Sequence, residues 1–531
     1  MDHGVDRGAV DFEYLILGGG PAGLQLGHHL STAGHSYLIL EAGDGPGNSF
    51  KQFPRHRTLI SSNKVYTGYD DPEINLRWDW NSLLFDDGKL LFGDYSRKYF
   101  PPADKLVQYL GDYAECFNLN IRCKTRIERI ERLGEGRAED GFRLTDREGN
   151  AFTCRRLIVA TGFSRPYLPE IPGVELAECY FDVSVDPEDF INQRVLIVGK
   201  GNSAFETADN LIETTAMIHV CSPSPLKMAW ATHFVGHLRA VNNNFLDTYQ
   251  LKSQNAVLDA TIERISRNEE GKLVVSLSYT HACGETEEIV YDRVIFCTGF
   301  RFDASIFDES CRPELTINDR FPAQTSEWES VNVPGVYFAG TLTQMRDFKK
   351  TTSGFIHGFR YNVRALFRML DKKYHGRELP SRAVEATPEG LMLAAMERIN
   401  RSSALWQQYG FLHDVIVLSS DGGTARYYEE LPLSYVHDSS LSASDHYYTI
   451  ALEFGHIHGD PFAIERKPMI DAADESVFLH PVIRRWNGPL LVAEYHLLEN
   501  LFGEWKDLEH HIEPLRDFFA LHLGPRVGVR V

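Results

Sequence analysis

Cysteine is used sparingly in this sequence. Its eight cysteines, Cys116, Cys123, Cys154, Cys179, Cys221, Cys283, Cys297 and Cys311, are scattered, with no C-x-x-C pair and no short-spaced cluster. In a chain of this length they exclude a disulfide framework and read as reduced thiols in a reducing compartment. Positive charge is also short: 54 Lys and Arg stand against 74 Asp and Glu, a net −20. That balance removes the basic face a nucleic-acid partner requires. No apolar run reaches the roughly 18 residues needed to cross a bilayer. Internal repeats and low-complexity tracts are missing too. Met1–Asp11 is polar and does not read as a signal peptide, and Gly524–Val531 carries no retrieval or lipidation signal. A cytoplasmic protein with no membrane partner is therefore expected.

What is present is a globular composition, 43% hydrophobic and 12% aromatic over 531 residues. That length has room for two or three domains and a sizeable core. The first informative motif follows at once. Tyr14-Leu-Ile-Leu17 is a short buried strand, Gly18-Gly-Gly-Pro-Ala-Gly23 a tight turn, and Leu24–Ala33 a helix. Gly18, Gly20 and Gly23 hold the spacing at which the first glycine makes the turn and the second admits a pyrophosphate. The third, next to Ala22, lets helix and strand pack closely. A second strand, Ser36–Leu40, ends at Glu41, where a carboxylate can accept hydrogen bonds from a ribose. This unit is read as an FAD site.

The pattern recurs. Arg194–Val198 is a strand, Gly199-Lys-Gly-Asn-Ser-Ala204 the turn and Phe205–Glu213 the helix, with Gly199, Gly201, Asn202, Ser203 and Ala204 as nucleotide contacts. The next strand, Met217–Cys221, ends in Ser222-Pro-Ser-Pro with no acid for a 2′-hydroxyl. Ser222, Ser224 and Lys227 are suited to a 2′-phosphate, which leans toward NADPH and leaves NADH open.

Two strand ends, Arg156–Gly162 and Val294–Gly299, close in small-residue turns that bracket the second unit. Thr161 and Gly162 belong to the first of them, and Gly340 lies in the later Gly335–Thr341 segment. The expected fold is α/β, with two Rossmann-like domains, the FAD domain interrupted by the NAD(P)H domain. The FAD domain occupies 1–163 and 294–377, the NAD(P)H domain 164–293, and a C-terminal α+β extension 378–531. Ser353–Leu370 reads as a helix whose N-terminal end faces the flavin. In the extension, Val415–Leu418 and Tyr447–Phe454 read as strands, and Leu490–Trp505 as a strand turning helical. A lid or a homodimer surface over the flavin cleft is expected of it.

The paired motifs resemble those of the two-dinucleotide flavoproteins that include flavin-containing monooxygenases. A closer resemblance is to the FAD-dependent oxidoreductase domain-containing proteins of the animal endoplasmic reticulum. It is carried by Phe53–Lys64, Asn75–Ser82, Tyr95–Phe100, Val183–Phe190, Gly201–Ala208, Trp230–His233, Phe355–Tyr361 and Phe478–Ile483. The monooxygenases' aromatic-Gly-x3-His-x3-aromatic linker is absent around Tyr180–Val185. The likeness implies an NAD(P)H-reduced flavin that oxygenates a small molecule through a flavin peroxide, with molecular oxygen as co-substrate. N-hydroxylation of an amine or amino acid is the expected form. An NAD(P)H oxidase, a substrate dehydrogenase and a non-catalytic scaffold are the alternatives. In the monooxygenases an Asn after the ribose-binding acid lies beside the peroxide. Leu59-Ile-Ser-Ser-Asn63 matches that region, with Asn63 the candidate catalytic residue and Ser62 the other residue at the aligned position. A disulfide-reductase mechanism needs a cysteine pair beside the ring, and neither Leu24–Ala33 nor Glu41–Asn63 has any cysteine.

Other groups carry two readings each. Arg55, His56 and Arg57 suit an acidic ligand or a surface ion pair. Trp78, Trp80 and Trp230 suit a pocket wall or the core. His456, His458, His510 and His511 lack the third spaced ligand a metal needs, so no metal is expected.

Overall fold

The computed structural model describes residues 10–85, 90–134, 140–252, 254–419, 423–444 and 446–523. Three sheets organise them. The first is built on Phe12–Leu17, whose Tyr14, Leu15 and Ile16 are wholly buried, as a strand covered on both faces requires. It pairs in parallel with Tyr37–Leu40 on one side and Ala151–Val159 on the other. Val336–Phe338 joins the same sheet, parallel to Ala151–Val159. Residues before 160 and after 335 thus share one sheet.

The second sheet is built the same way on Arg194–Val198, flanked in parallel by Met217–Ser222 and Arg293–Phe296. Ala256–Arg267 extends it in parallel, and Leu273–Tyr279 and Thr286–Tyr291 add antiparallel strands outside. The third sheet is antiparallel throughout, with six strands in the order Ser381–Glu385, Thr424–Pro432, Leu412–Leu418, Tyr447–Glu453, His480–Asn487 and Leu490–His496. The fold is α/β, with two Rossmann-like units and a C-terminal α+β sheet. No helix among the described residues is long and apolar enough to cross a membrane.

One long helix, Ile356–His375, ties the first and third sheets together. Its Phe359, Val363, Leu366 and Leu370 share a buried cluster with Leu24, Leu26 and Leu30 of the helix Pro21–Thr32, with Leu431 and Trp486 of the third sheet, and with Tyr435 of the helix Leu433–Asp438. The C-terminal segment therefore shares a core with the first unit. Buried Arg360 on the same helix donates to the carbonyls of Leu76, Asp79 and Ser82 at 2.8–2.9 Å. These bonds fix the loop that carries Trp80. The helix ends at Gly376, whose φ of 68° is costly for any residue with a Cβ.

Two expected elements shift. The helix expected from Ser353 starts at Ile356, because the Ser353 hydroxyl accepts from Asn362 Nδ2 at 2.8 Å within the preceding loop. The strand from Leu490 stops at His496, and no helix follows directly. The Asn500 side chain accepts from the amides of Phe502 (2.9 Å) and Glu504 (3.2 Å), forming a turn that competes with helix. Helix resumes only at Leu508–Ile512 and Glu513–His522.

Candidate functional site

The two glycine turns have the same build. In the first, Gly18 has φ 115°, and a Cβ there would lie 2.6 Å from the Ala160 carbonyl oxygen. A Cβ on Gly23 would lie 2.0 Å from the Gly18 carbonyl, so helix and strand touch backbone to backbone. Gly20 is different. A Cβ there meets nothing within 4 Å, so the turn is open on the side where a pyrophosphate would approach. Gly20 is also the N-cap of the helix, and no side chain caps it. Glu41 accepts from the amides of Gly19 and Gly43, both at 2.7 Å, using one oxygen for each. Its remaining lone pairs can still accept from ribose hydroxyls.

Thr161 and Gly162 lie in the turn just past the neighbouring strand Ala151–Val159, and Gly340 presses on Ala22, where an added Cβ would lie 2.8 Å from the Ala22 methyl. The Thr341 hydroxyl is buried beside Gly162 with no hydrogen-bond partner, a donor suited to a bound nucleotide. The open glycine, the uncapped helix and this hydroxyl fit an adenine dinucleotide.

In the second turn Gly199 has φ 127° and packs on the Cys297 carbonyl, 2.4 Å from where its Cβ would be. Gly201 again faces open space and again caps a helix, Asn202–Leu211, without side-chain help. Ala204 stands at the third position, fully buried. Lys200 lies against Asp259 and donates to the carbonyls of Ser222 (3.3 Å) and Ser224 (3.1 Å). The Ser222 hydroxyl donates to the Ser224 carbonyl at 3.0 Å, and Lys227 is exposed.

A cavity of about 730 Å³ lies between the two units. Gly199, Gly201, Asn202 and Ser203 form one wall, and Leu59, Ile60, Ser61 and Trp80 another. Phe355 and His357, at the uncapped start of the long helix, complete it. Trp80 stacks on His357 at 4.1 Å, and Arg239 lies over Trp80 while donating to the Ile60 carbonyl at 3.2 Å. Burial, then the nearby Arg360 and Arg239 charges, hold the His357 imidazole well below its ordinary pKa, so it is neutral. Glu206 also lines the cavity, with Tyr180 donating to it at 3.1 Å. Burial pushes the Glu206 carboxyl up to about 7. The residues from Phe234 to Arg239 come from an irregular stretch whose sequence gave no sign of this role. Asn202 holds them by donating to the His237 carbonyl (2.9 Å) and accepting from the Arg239 amide (2.9 Å).

Asn63 does not line this cavity. It is buried, and its amide donates to the carbonyls of Ser96 (2.6 Å) and Lys98 (3.1 Å). Ser62, also buried, donates to the Tyr99 hydroxyl at 3.2 Å, so Ile60 and Ser61 are the members of this segment that face the cavity. Arg55 is taken up by the Phe181 and Val183 carbonyls at 2.9 and 2.6 Å, and Arg57 by Asp104. Trp78 stacks on Tyr69 at 5.4 Å and Trp230 on Phe462 at 4.5 Å, which leaves Trp80 as the tryptophan in the cavity wall. His510 pairs with Asp507, and His511 faces the Leu498 carbonyl. Glu13, His35 and His375 do come together, but each is engaged, with Arg156, Asp371 and Tyr14 respectively.

Two Rossmann-like units with a shared cleft, the first shaped for an adenine dinucleotide, define a flavoprotein of the two-dinucleotide class. Residues 15–340 match the family described as pyridine nucleotide-disulphide oxidoreductase. The chain is 38% identical to the FAD-dependent oxidoreductase domain-containing protein 2 of Mus musculus, over 95% of this chain and 83% of that protein. It belongs to this family of FAD-dependent oxidoreductases. Among solved structures, the flavin-containing monooxygenase of Stenotrophomonas maltophilia is similar, with a TM-score of 0.51 at 22% identity over 69% of this chain and 99% of that one. The bacillithiol disulfide reductase of Bacillus cereus is similar to the same degree, with a TM-score of 0.52 at 18% identity, covering 68% of this chain and 99% of that one. At these identities the two structures speak for the fold alone.

Proposed function

We propose that this flavoprotein is a monooxygenase that takes hydride from NADPH, or from NADH, and oxygenates a small molecule by N-hydroxylating an amine or amino acid. The observation that carries the proposal is the cavity itself. It joins the second glycine turn to the Leu59–Ser61 segment and holds one carboxyl, Glu206, whose pKa sits near neutrality. Bound FAD supplies the redox chemistry, accepting hydride and passing electrons to oxygen. The chain's own residues hold the reactants and move a proton. An ammonium must shed a proton before its nitrogen lone pair can attack, and a carboxyl with a pKa near 7 is matched to accept it at physiological pH. Trp80, Phe355 and the neutral His357 stack into an aromatic wall of the cavity.

The dithiol alternative has little support in the cavity. Cys297 lines it, with Cys179 as an electrostatic neighbour, but burial raises the Cys297 thiol far above the range in which a thiolate forms. The oxidase reading is favoured by one observation, the commitment of the Asn63 amide to two backbone carbonyls. The test is to follow NADPH consumption, hydrogen peroxide and product together under labelled oxygen, across a panel of amines and amino acids. Label in the product at the expense of peroxide supports oxygenation. Peroxide accounting for all the NADPH consumed with every compound would establish the oxidase instead.

A further inference from the structure

The cavity carries a charge pattern that neither glycine turn explains. Arg320 and Lys349 both line it, and both come from the part of the chain that follows the second unit. They converge on one ring, with the Arg320 guanidinium carbon 5.8 Å and Lys349 Nζ 5.2 Å from the centre of Phe348. Arg320 also lies over Phe163 (5.4 Å) and Phe321 (5.8 Å), and its Nε is buried without a partner. Among the described residues, no carboxylate forms a salt bridge with either. Burial, then Arg320, then Lys227 pull the Lys349 ammonium below its ordinary pKa. The His237 imidazole is lowered to about 4 by burial, Lys349 and Lys227. Two uncompensated cations held together in a partly dewatered cleft repel each other, and an anion placed between them relieves that cost.

Position selects the anion. Arg320 Nη2 lies 3.9 Å from where a Cβ on Gly299 would be. Gly299 lies two residues past Cys297, whose carbonyl supports Gly199, so the guanidinium stands at the strand end that backs the second glycine turn, and both line the same cavity. Gly201 is open on the cavity side, at the start of an uncapped helix. We infer that Arg320 and Lys349 form the second half of a diphosphate seat, clamping the pyrophosphate of a nicotinamide dinucleotide against the Gly199–Gly201 turn. The clamp crosses from the flavin part of the chain to the second unit, so a bound dinucleotide would tie the two together. Its planar guanidinium suits Arg320 to two phosphate oxygens at once, and Lys349 adds a point charge.

This inference rests on the nicotinamide reading of the second unit, and the experiment separates the two. Flavinated protein is titrated calorimetrically with NADP⁺ and NAD⁺, for the unmodified chain and for Arg320→Gln, Lys349→Gln, Arg320→Lys and Lys227→Ala. Because the pyrophosphate is common to both dinucleotides, Arg320→Gln and Lys349→Gln should each weaken both by a similar factor, about ten-fold. Arg320→Lys should recover part of the loss. Lys227→Ala should weaken NADP⁺ more than NAD⁺. Lys349 keeps part of its surface in water, so its variant should fold even where one at Arg320 does not. Unchanged affinities, or losses confined to NADP⁺, overturn the diphosphate seat while leaving the nicotinamide reading intact. An unmodified protein that binds neither dinucleotide overturns both.

Discussion

The two glycine turns share one backbone plan and differ at two positions. At the third turn position the first unit has Gly23 and the second Ala204; at the end of the second strand the first has Glu41 and the second Ser222. In the first unit a methyl on Gly23 would overlap the Gly18 carbonyl at 2.0 Å, whereas the second accommodates the Ala204 methyl in its core. The helix in the first unit therefore lies closer to its strand. Glu41 ties that tighter turn to its flanks through the amides of Gly19 and Gly43. The second unit has no such carboxylate, and Lys200 reaches across its strand ends instead. The first site is acidic at its ribose end and closely packed. The second is looser and surrounded by cations. One supersecondary frame is thus built in two versions that differ by a methyl group and a carboxylate.

The largest effect that can break this comparison is Gly23→Ala. The added methyl cannot be absorbed, because its neighbour is backbone, so the helix must move off the strand at a cost of about 3 kcal/mol. The expected result is insoluble or colourless protein. A soluble Gly23→Ala variant with full FAD content would show the two turns to be equally tolerant.

Asn63→Ala comes next. Removing the side chain leaves the Ser96 and Lys98 carbonyls without their buried donor, a loss of about 2 kcal/mol. Chemical denaturation should register that loss, while the ratio of peroxide to NADPH consumed stays at the parent value. Unchanged stability with a rise in peroxide would return Asn63 to the role expected from its sequence context.

That contrast shows what was legible in the sequence. The turns were readable because Gly18, Gly20 and Gly23 answer to local backbone geometry, and geometry of that kind is written in residue type and spacing. The same held for the strands beneath them, whose unbroken apolar runs declare burial on both faces. Asn63 was placed by its order after Glu41, and order does not say which way a side chain points. Ile60 and Ser61, on the same stretch, face the cavity instead. Arg320, Lys349 and Glu206 were not legible, since each is one charged residue among many until the fold brings it to a shared wall. The shared core of the third sheet was hidden for the same reason. Leu431 and Trp486 look like any buried residues until the long helix is seen to join them to Leu24.

A smaller effect concerns Glu206. Its folded pKa of about 7 lies above the ordinary 4.5, so its contribution to stability is fully present below about 4.5 and is lost as pH rises through about 7. Glu206→Gln removes that loss. Thermal unfolding should show the variant more stable than the parent at pH 8, by about 1 kcal/mol because the carboxyl is only partly shielded from water, and equal to it near pH 4. If Glu206 accepts the substrate proton, the parent's oxygenation rate should also rise with pH through about 7. The variant should lose that limb while keeping its rate of flavin reduction. A parent profile flat between pH 6 and 8 would take Glu206 out of the proton path.

The smallest effect is Ala204→Gly, the reciprocal of the first substitution, and it sharpens the comparison. If the looser second turn exists only to make room for a methyl, then removing that methyl should let the helix settle toward the strand without harming the site. The cost is of the ordinary kind, since glycine inside a helix is about 1 kcal/mol less favourable than alanine through the entropy of the unfolded chain. Ala204 is fully buried within Asn202–Leu211, so a small packing loss adds to it. Denaturation should therefore show a drop of about 1 kcal/mol, with FAD content unchanged because the first unit does not depend on this residue. NADP⁺ affinity should also be unchanged, since the methyl sits in the core while Gly199, Gly201, Asn202 and Ser203 face the cavity. A several-fold change in that affinity would mean that the helix position sets the height of the glycine turn. The methyl would then tune the cleft as well as fill the core, and the two units would differ in function at this position.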